Sequence, residues 1–160
     1  MMFDRRTFLR GASAAGFFAL PAMAATGPVS AATGPVMTVT KSPTCGCCTG
    51  WAEFATRAGF DVTLVDIDEV APTKQRLGVP EDLWGCHTAE VEGYVIEGHV
   101  PFEAVAKLLE ERPDVTGIAA PGMPMGSPGM GWDPEARYDV FAFGGTAGAG
   151  TIYFQAGRRA

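Results

Sequence analysis

The chain has 160 residues, 47% hydrophobic and 19% charged, the balance of a globular protein long enough for one domain with its own core. Twelve basic residues against eighteen acidic ones leave a net charge of -6, which argues against a nucleic-acid partner held through its phosphates. Four cysteines and seven methionines against two histidines favour a soft cation over a hard one, since thiolate and thioether are soft ligands.

The N-terminus reads as a targeting segment. Asp4-Arg5-Arg6-Thr7-Phe8-Leu9-Arg10 has the twin-arginine export pattern, an apolar run follows from Gly11 to Leu20, and Ala22-Met23-Ala24 is a small-residue cleavage site. The apolar run is too short and too rich in Gly and Ala for a transmembrane anchor. The expectation is a signal peptide over residues 1–24, cleaved after Ala24 on export to the periplasm, with no stable membrane insertion afterwards. Cleavage removes Arg5, Arg6, Arg10 and Asp4, so 12 - 3 = 9 basic residues face 18 - 1 = 17 acidic ones, a net charge of -8. Residues 25–35, in which Ala-Thr-Gly-Pro occurs twice, read as a flexible leader.

Val36–Thr40 alternates and is rich in β-branched residues, hence a strand. Trp51, Phe54, Ala55 and Ala58 fall at helical spacing and Gly59 ends that helix. Val62–Ile67 is a second strand. A short helix begins near Ala71 with Pro72 in its first turn, and Gly78-Val79-Pro80 breaks the chain. Thr88–Val91 and Tyr94–Glu97 form a hairpin about Glu92-Gly93. Pro101 opens a third helix whose apolar face is Phe102, Val105, Ala106, Leu108 and Leu109, and Pro113 ends it. The order β-α-β-α-β-β-α, with a right-handed crossover and an antiparallel hairpin, predicts an α/β, thioredoxin-like core over residues 36–112. Residues 113–160 hold a Met/Gly/Pro-rich loop from Gly117 to Gly131 and a C-terminal hairpin, Tyr138–Phe143 and Thr151–Phe154, around the Gly-rich stretch Gly144–Gly150.

The chemistry concentrates at Cys45-Gly46-Cys47-Cys48, between the first strand and the first helix. Cys45 and Cys48 have the CxxC spacing of dithiol exchange, and Cys47 is surplus to that reaction. A helix N-terminus favours thiolate over thiol, and thiolate is the form that binds metal. A disulfide between neighbours is strained, so Cys47-Cys48 argues for a metal set. Cys86-His87 precedes the third strand. A lone Cys86 would be a small buried hydrophobe, but the predicted fold sets it across from the cluster, in the slot that holds a cis-proline in thioredoxins. His87 fits a structural role as well as a ligand role, and His99 can ligate metal or orient the hairpin. Met123, Met125 and Met130 lie in a Gly/Pro loop, where a thioether lid over Cu(I) competes with plain packing. Three Cys plus a Cys or His is also a legitimate zinc set, yet zinc sites usually have two separated knuckles and take no Met, which favours copper.

These residues carry a family likeness. Thr44–Cys48 with Trp51, Leu77-Gly78-Val79-Pro80, Cys86-His87-Thr88-Ala89, Gly93–Pro101, Pro121-Gly122-Met123-Pro124 and Gly126–Met130 resemble the CopG-type periplasmic copper-resistance proteins, a thioredoxin-like family distinct from the DNA-binding repressors of that name. The likeness runs from about Val36 to Phe154. It implies a copper site on Cys45, Cys47, Cys48 and Cys86, with His87, His99, Met123 and Met130 as further ligands. Bridging thiolates would allow a multinuclear Cu(I) cluster. The implied role is copper binding for resistance, with copper ions and other periplasmic copper-handling proteins as partners. A redox enzyme using Cys45 and Cys48 on copper or disulfides, and a zinc module, are the alternatives. Pro72 in the second helix and the Gly-rich stretch Gly144–Gly150 depart from the family pattern.

Overall fold

The computed structural model describes residues 34–157. The expected signal peptide and the leader up to residue 33 lie outside the described residues. The elements in chain order are β1 (Val36–Lys41), α1 (Gly46–Arg57), β2 (Asp61–Asp66), α2 (Ala71–Arg76), a 3-10 turn (Glu81–Leu83), β3 (His87–Val91), β4 (Tyr94–Gly98), α3 (Phe102–Glu111), β5 (Gly117–Ala120), β6 (Tyr138–Phe143), a second 3-10 turn (Gly145–Ala147) and β7 (Thr151–Ala156). The strands make one mixed sheet of order β2-β1-β3-β4-β5-β6-β7. Among the described residues no helix is long and apolar enough to cross a membrane.

Connection chemistry dictates this order. The α1 crossover makes β1 and β2 parallel, and β3 runs antiparallel on the other side of β1, with His87 opposite Lys41. Glu92 (φ 47°) and Gly93 (φ 87°) both take left-handed backbone, the two-residue turn whose twist suits a β-hairpin. A second crossover, α3, brings β5 parallel to β4. The expected final hairpin is present as β6 and β7.

The strand β5 corrects the sequence reading, which assigned Gly117–Ala120 to the loop. All four of its residues are buried, so Gly-Ile-Ala-Ala has no polar face and no alternation to read. A β-carbon at Gly117 would collide with the Val95 carbonyl oxygen, so the tight pairing with β4 requires glycine there.

The helix faces are also rotated from expectation. The buried residues of α1 are Cys48, Trp51, Ala52 and Ala55, whereas Phe54 and Ala58 are exposed. Phe54 lies beneath the Arg57 guanidinium, 4.2 Å from its ring centroid. In α3, Ala104 is buried instead of Ala106, and Pro101 caps the helix from outside rather than opening it. Arg112, in left-handed conformation, ends α3 before Pro113.

Trp51, Ala55, Val105 and Leu108 of α1 and α3 pack on Met37, Val39, Ala89, Ile96 and Ile118 of the sheet. The alternate strand residues Val95, Ala119 and Phe143 meet Val79 and Leu83 in a second cluster. The indole N–H of Trp51 donates to the Val100 carbonyl at 2.9 Å, which ties α1 to the segment after β4. Rotation of α1 puts Cys48 on the same buried face as Trp51, so the core sets the aim of the cysteine segment.

Candidate metal centre

The turn after β1 is short. Cys45 N–H donates to the Ser42 carbonyl at 3.0 Å, and Cys45 then caps α1 with extended backbone. Its side chain makes no capping bond and no acidic residue lies in the first turn, so the positive end of α1 faces the sulfurs. Cys45 and Cys48 are joined as a disulfide, with Cα atoms 5.4 Å apart. The oxidised pair is therefore the CxxC spacing and not the strained neighbours. Cys47 and Cys86 are free. Cys47 Sγ lies 3.5 Å from Cys45 Sγ and 3.9 Å from Cys86 Sγ. All four sulfurs lie within 4.8 Å of one another.

Cys86 belongs to a second group as well, with His87 and His99. His99 Nε2 is 3.0 Å from Cys86 Sγ, while its Nδ1 is 2.7 Å from the Pro128 carbonyl oxygen. A carbonyl only accepts, so the neutral ring carries its proton on Nδ1. The Nε2 lone pair is thereby aimed at the sulfurs, the arrangement by which an outer partner fixes a ligating imidazole. His87 Nδ1 is 3.7 Å from Cys86 Sγ. Its ring is fully buried, with centroids 4.6 Å from Trp51 and 5.1 Å from His99. Among the described residues His87 Nε2 is buried with no hydrogen-bond partner.

The electrostatics favour neutral ligands. Burial first, then the neighbouring His99, Lys74 and Lys41, hold His87 well below its usual range. Burial lowers His99 too, against the opposing Pro128 contact. Burial and the adjacent Cys47 push the Cys86 thiol up to about 12. Here desolvation outweighs any help from the helix end. A buried group of this kind sheds its proton readily only when another cation takes its place, and the donor set of sulfur and neutral imidazole suits a soft one.

The Met-rich loop crosses the first turn of α1. A β-carbon at Gly129 would lie 2.5 Å from the Cys47 carbonyl oxygen and 2.7 Å from Trp51 N, so only glycine permits this approach. Ser127 is buried and bonds the Pro124 carbonyl at 2.5 Å. Met130 is half-buried in this loop, whereas Met123 is exposed, with left-handed backbone. The structure thus gathers Cys45, Cys47, Cys48, Cys86, His87 and His99, puts Met130 next to Gly129, and leaves Met123 on the surface. Sequence reasoning missed the Pro128 carbonyl, which has no side-chain signature. It also missed Glu97, a charge within the apolar run Val95-Ile96-Glu97-Gly98, which is the kind of signal that could have found it.

The sequence profile of a family described as "Protein of unknown function, DUF411" matches residues 83–130. That span holds Cys86, His87, His99, Met123 and Met130. No curated protein matches. Two solved structures do, copper resistance protein CopG in form 1 and in form 2. Both are 36% identical with a TM-score of 0.69, and the alignment covers 75% and 76% of this chain and 95% and 97% of those chains. The chain belongs to the CopG family of copper-resistance proteins. As a CopG homologue it carries a cysteine cluster able to bind metal, and the match to CopG spans nearly the whole of those chains.

Proposed function

We propose that this CopG homologue captures Cu(I) in the periplasm, after twin-arginine export and loss of residues 1–24, and so protects the cell from copper. With the Cys45–Cys48 disulfide reduced, the thiolates of Cys45, Cys47, Cys48 and Cys86 would hold the ion, with His99 Nε2 and His87 beside them and Met130 in the covering loop. Cys86 carries this reading, because it belongs to both the four-sulfur group and the Cys-His-His group. A bridging thiolate in that position suits more than one Cu(I), hence a multinuclear cluster. The β2-β1-β3-β4 order, with the cluster at the head of α1, supports a thioredoxin-like core. Other periplasmic copper-handling proteins would deliver or receive the ion.

The Cys45–Cys48 disulfide, with the free Cys47 sulfur 3.5 Å from Cys45, favours a second reading as a redox protein. Closing that disulfide from two thiols releases two protons and two electrons, enough to reduce two Cu(II) to Cu(I). A zinc module is the third reading.

Anaerobic purification after reduction, metal analysis, and Cu(I) titration against a competing chelator test the proposal. Cu(I) held no tighter than by a CxCC peptide would defeat it, and stoichiometric zinc in its place would favour the third reading. Cys47→Ser separates the first two. Loss of copper with this variant supports capture, whereas unchanged function with Cys48→Ser inactive supports thiol exchange.

A further inference from the structure

The β3–β4 ladder stops just short of the site. Its last pair is Thr88 opposite Glu97. Continuing that register by two residues (88 - 2 and 97 + 2) sets Cys86 opposite His99, beyond the last paired residues. Something other than ladder hydrogen bonds must hold those two segments together, since Cys86 Sγ and His99 Nε2 stay 3.0 Å apart.

The buried side chain of Glu97 spans this gap. Its Oε1 accepts from the Gly85 N–H at 2.6 Å and from Lys74 Nζ at 2.5 Å, and its Oε2 accepts from Thr88 Oγ1 at 2.6 Å. Lys74 Nζ also donates to Thr88 Oγ1 at 3.0 Å. Lys74 is the one buried residue of α2, and both members of the ion pair are essentially without solvent. The backbones it joins are in contact, because a β-carbon at Gly85 would lie 2.5 Å from the Gly98 Cα. An ion pair this deep is a poor source of net stability compared with apolar packing, so its value lies in the geometry it imposes.

We propose that Lys74, Glu97 and Thr88 form a buried clip that sets the position of Cys86 against His99. Glu97 is a positioning residue, because it carries the Cys86 segment by the Gly85 N–H and the His99 segment by its own backbone. Lys74 fixes that carboxylate in place through its 2.5 Å contact with Oε1. The consequence for copper rests on the capture reading above, whereas the positioning itself does not.

Two paired variants separate positioning from folding. Lys74→Met with Glu97→Leu fills the space with apolar groups and removes the acceptor for Gly85. Lys74→Met with Glu97→Gln is equally uncharged but keeps an acceptor there. The reduced, metal-free proteins are alkylated with iodoacetamide and digested with trypsin. Cys86 then falls in peptide 77–107 and the other three cysteines in peptide 42–57. The expected result is a faster rate for Cys86 relative to the other peptide in the Leu variant, restored toward wild type in the Gln variant. General loosening would speed both peptides alike, so an unchanged ratio overturns the clip. If the Leu variant does not fold, Thr88→Val, which removes one arm without changing charge, gives the same comparison. Cu(I) affinity should fall roughly 10- to 100-fold in the Leu variant, the usual effect of losing an outer partner of a metal ligand. Unchanged affinity in a variant with an altered ratio overturns the clip's role in copper binding. A wild type that binds no Cu(I) defeats the capture reading and leaves the alkylation result to stand by itself.

Discussion

His99 is held by Pro128: its Nδ1 donates to the Pro128 carbonyl at 2.7 Å, which turns Nε2 toward Cys86 Sγ. The Met-rich loop therefore acts on the site through its backbone, and its path depends on Gly129. At φ 85°, and with a β-carbon there falling 2.5 Å from the Cys47 carbonyl oxygen, that residue admits no side chain. Gly129→Val should strain the loop by about 1–3 kcal/mol and lift Pro128 from His99. The expected outcome is a drop in Cu(I) affinity of roughly 10- to 100-fold, measured by chelator competition, with the His99 ring resonances shifted in the metal-free protein. Unaltered resonances would show that Pro128 does not control the imidazole.

The shared position of Cys86 gives a second prediction. Serine is nearly isosteric but ligates Cu(I) poorly, since a hydroxyl is neither soft nor readily ionised. Cys86→Ser should remove more than one equivalent of Cu(I) if the sulfur bridges, because both groups that include it lose a ligand. His87→Phe keeps the contact with the Trp51 ring while removing Nδ1, and should lower affinity without halving stoichiometry. Metal analysis of the two anaerobically loaded variants distinguishes these outcomes. Equal stoichiometry in Cys86→Ser and wild type would rule out a bridge.

What the sequence disclosed follows the physics of each signal. The CxCC segment, the Glu92-Gly93 turn and the first crossover were legible because spacing, turn chemistry and hydrophobic period are local properties. β5 was not, because Gly117-Ile118-Ala119-Ala120 is buried on both faces and shows no alternation. The buried face of α1 is rotated from its apolar period: Phe54 is apolar yet lies out under Arg57, and Ala52 takes its place in the core. Cys86, His87 and His99 could be named as candidates from the chain order. The aim of His99 could not, since it comes from a backbone carbonyl twenty-nine residues away. Nor could the Lys74–Glu97 contact, which depends on how α2 docks on the sheet.

Lys74 and Glu97 also bear on stability. Removing one member leaves the other charge buried without its counter-ion, which typically costs about 3–5 kcal/mol. Lys74→Met alone should therefore shift the denaturant midpoint far more than Lys74→Met combined with Glu97→Gln, although the second carries more changes. Chemical denaturation of the three reduced proteins at neutral pH checks the ordering. A double variant as unstable as the single one would mean that the pair contributes through packing and not through charge.

Tyr138 contributes to the loss of stability in alkali. Burial, and then the nearby Glu103 carboxylate, push its phenol up to about 12, from an ordinary value of 10.0. The folded state thus holds this proton at a pH where the unfolded chain has released it. Stability from this group is fully present below pH 10 and is lost as the pH rises through 12, because the unfolded state is then favoured by ionisation. Glu103→Gln removes the smaller of the two causes, so the Tyr138 titration should move down toward the ordinary value without reaching it. Phenolate absorbance, compared between wild type, Tyr138→Phe and Glu103→Gln, isolates the residue. A Tyr138 that titrates in the folded protein at the ordinary value of 10.0 would show that its ring is not shielded at the β6 position.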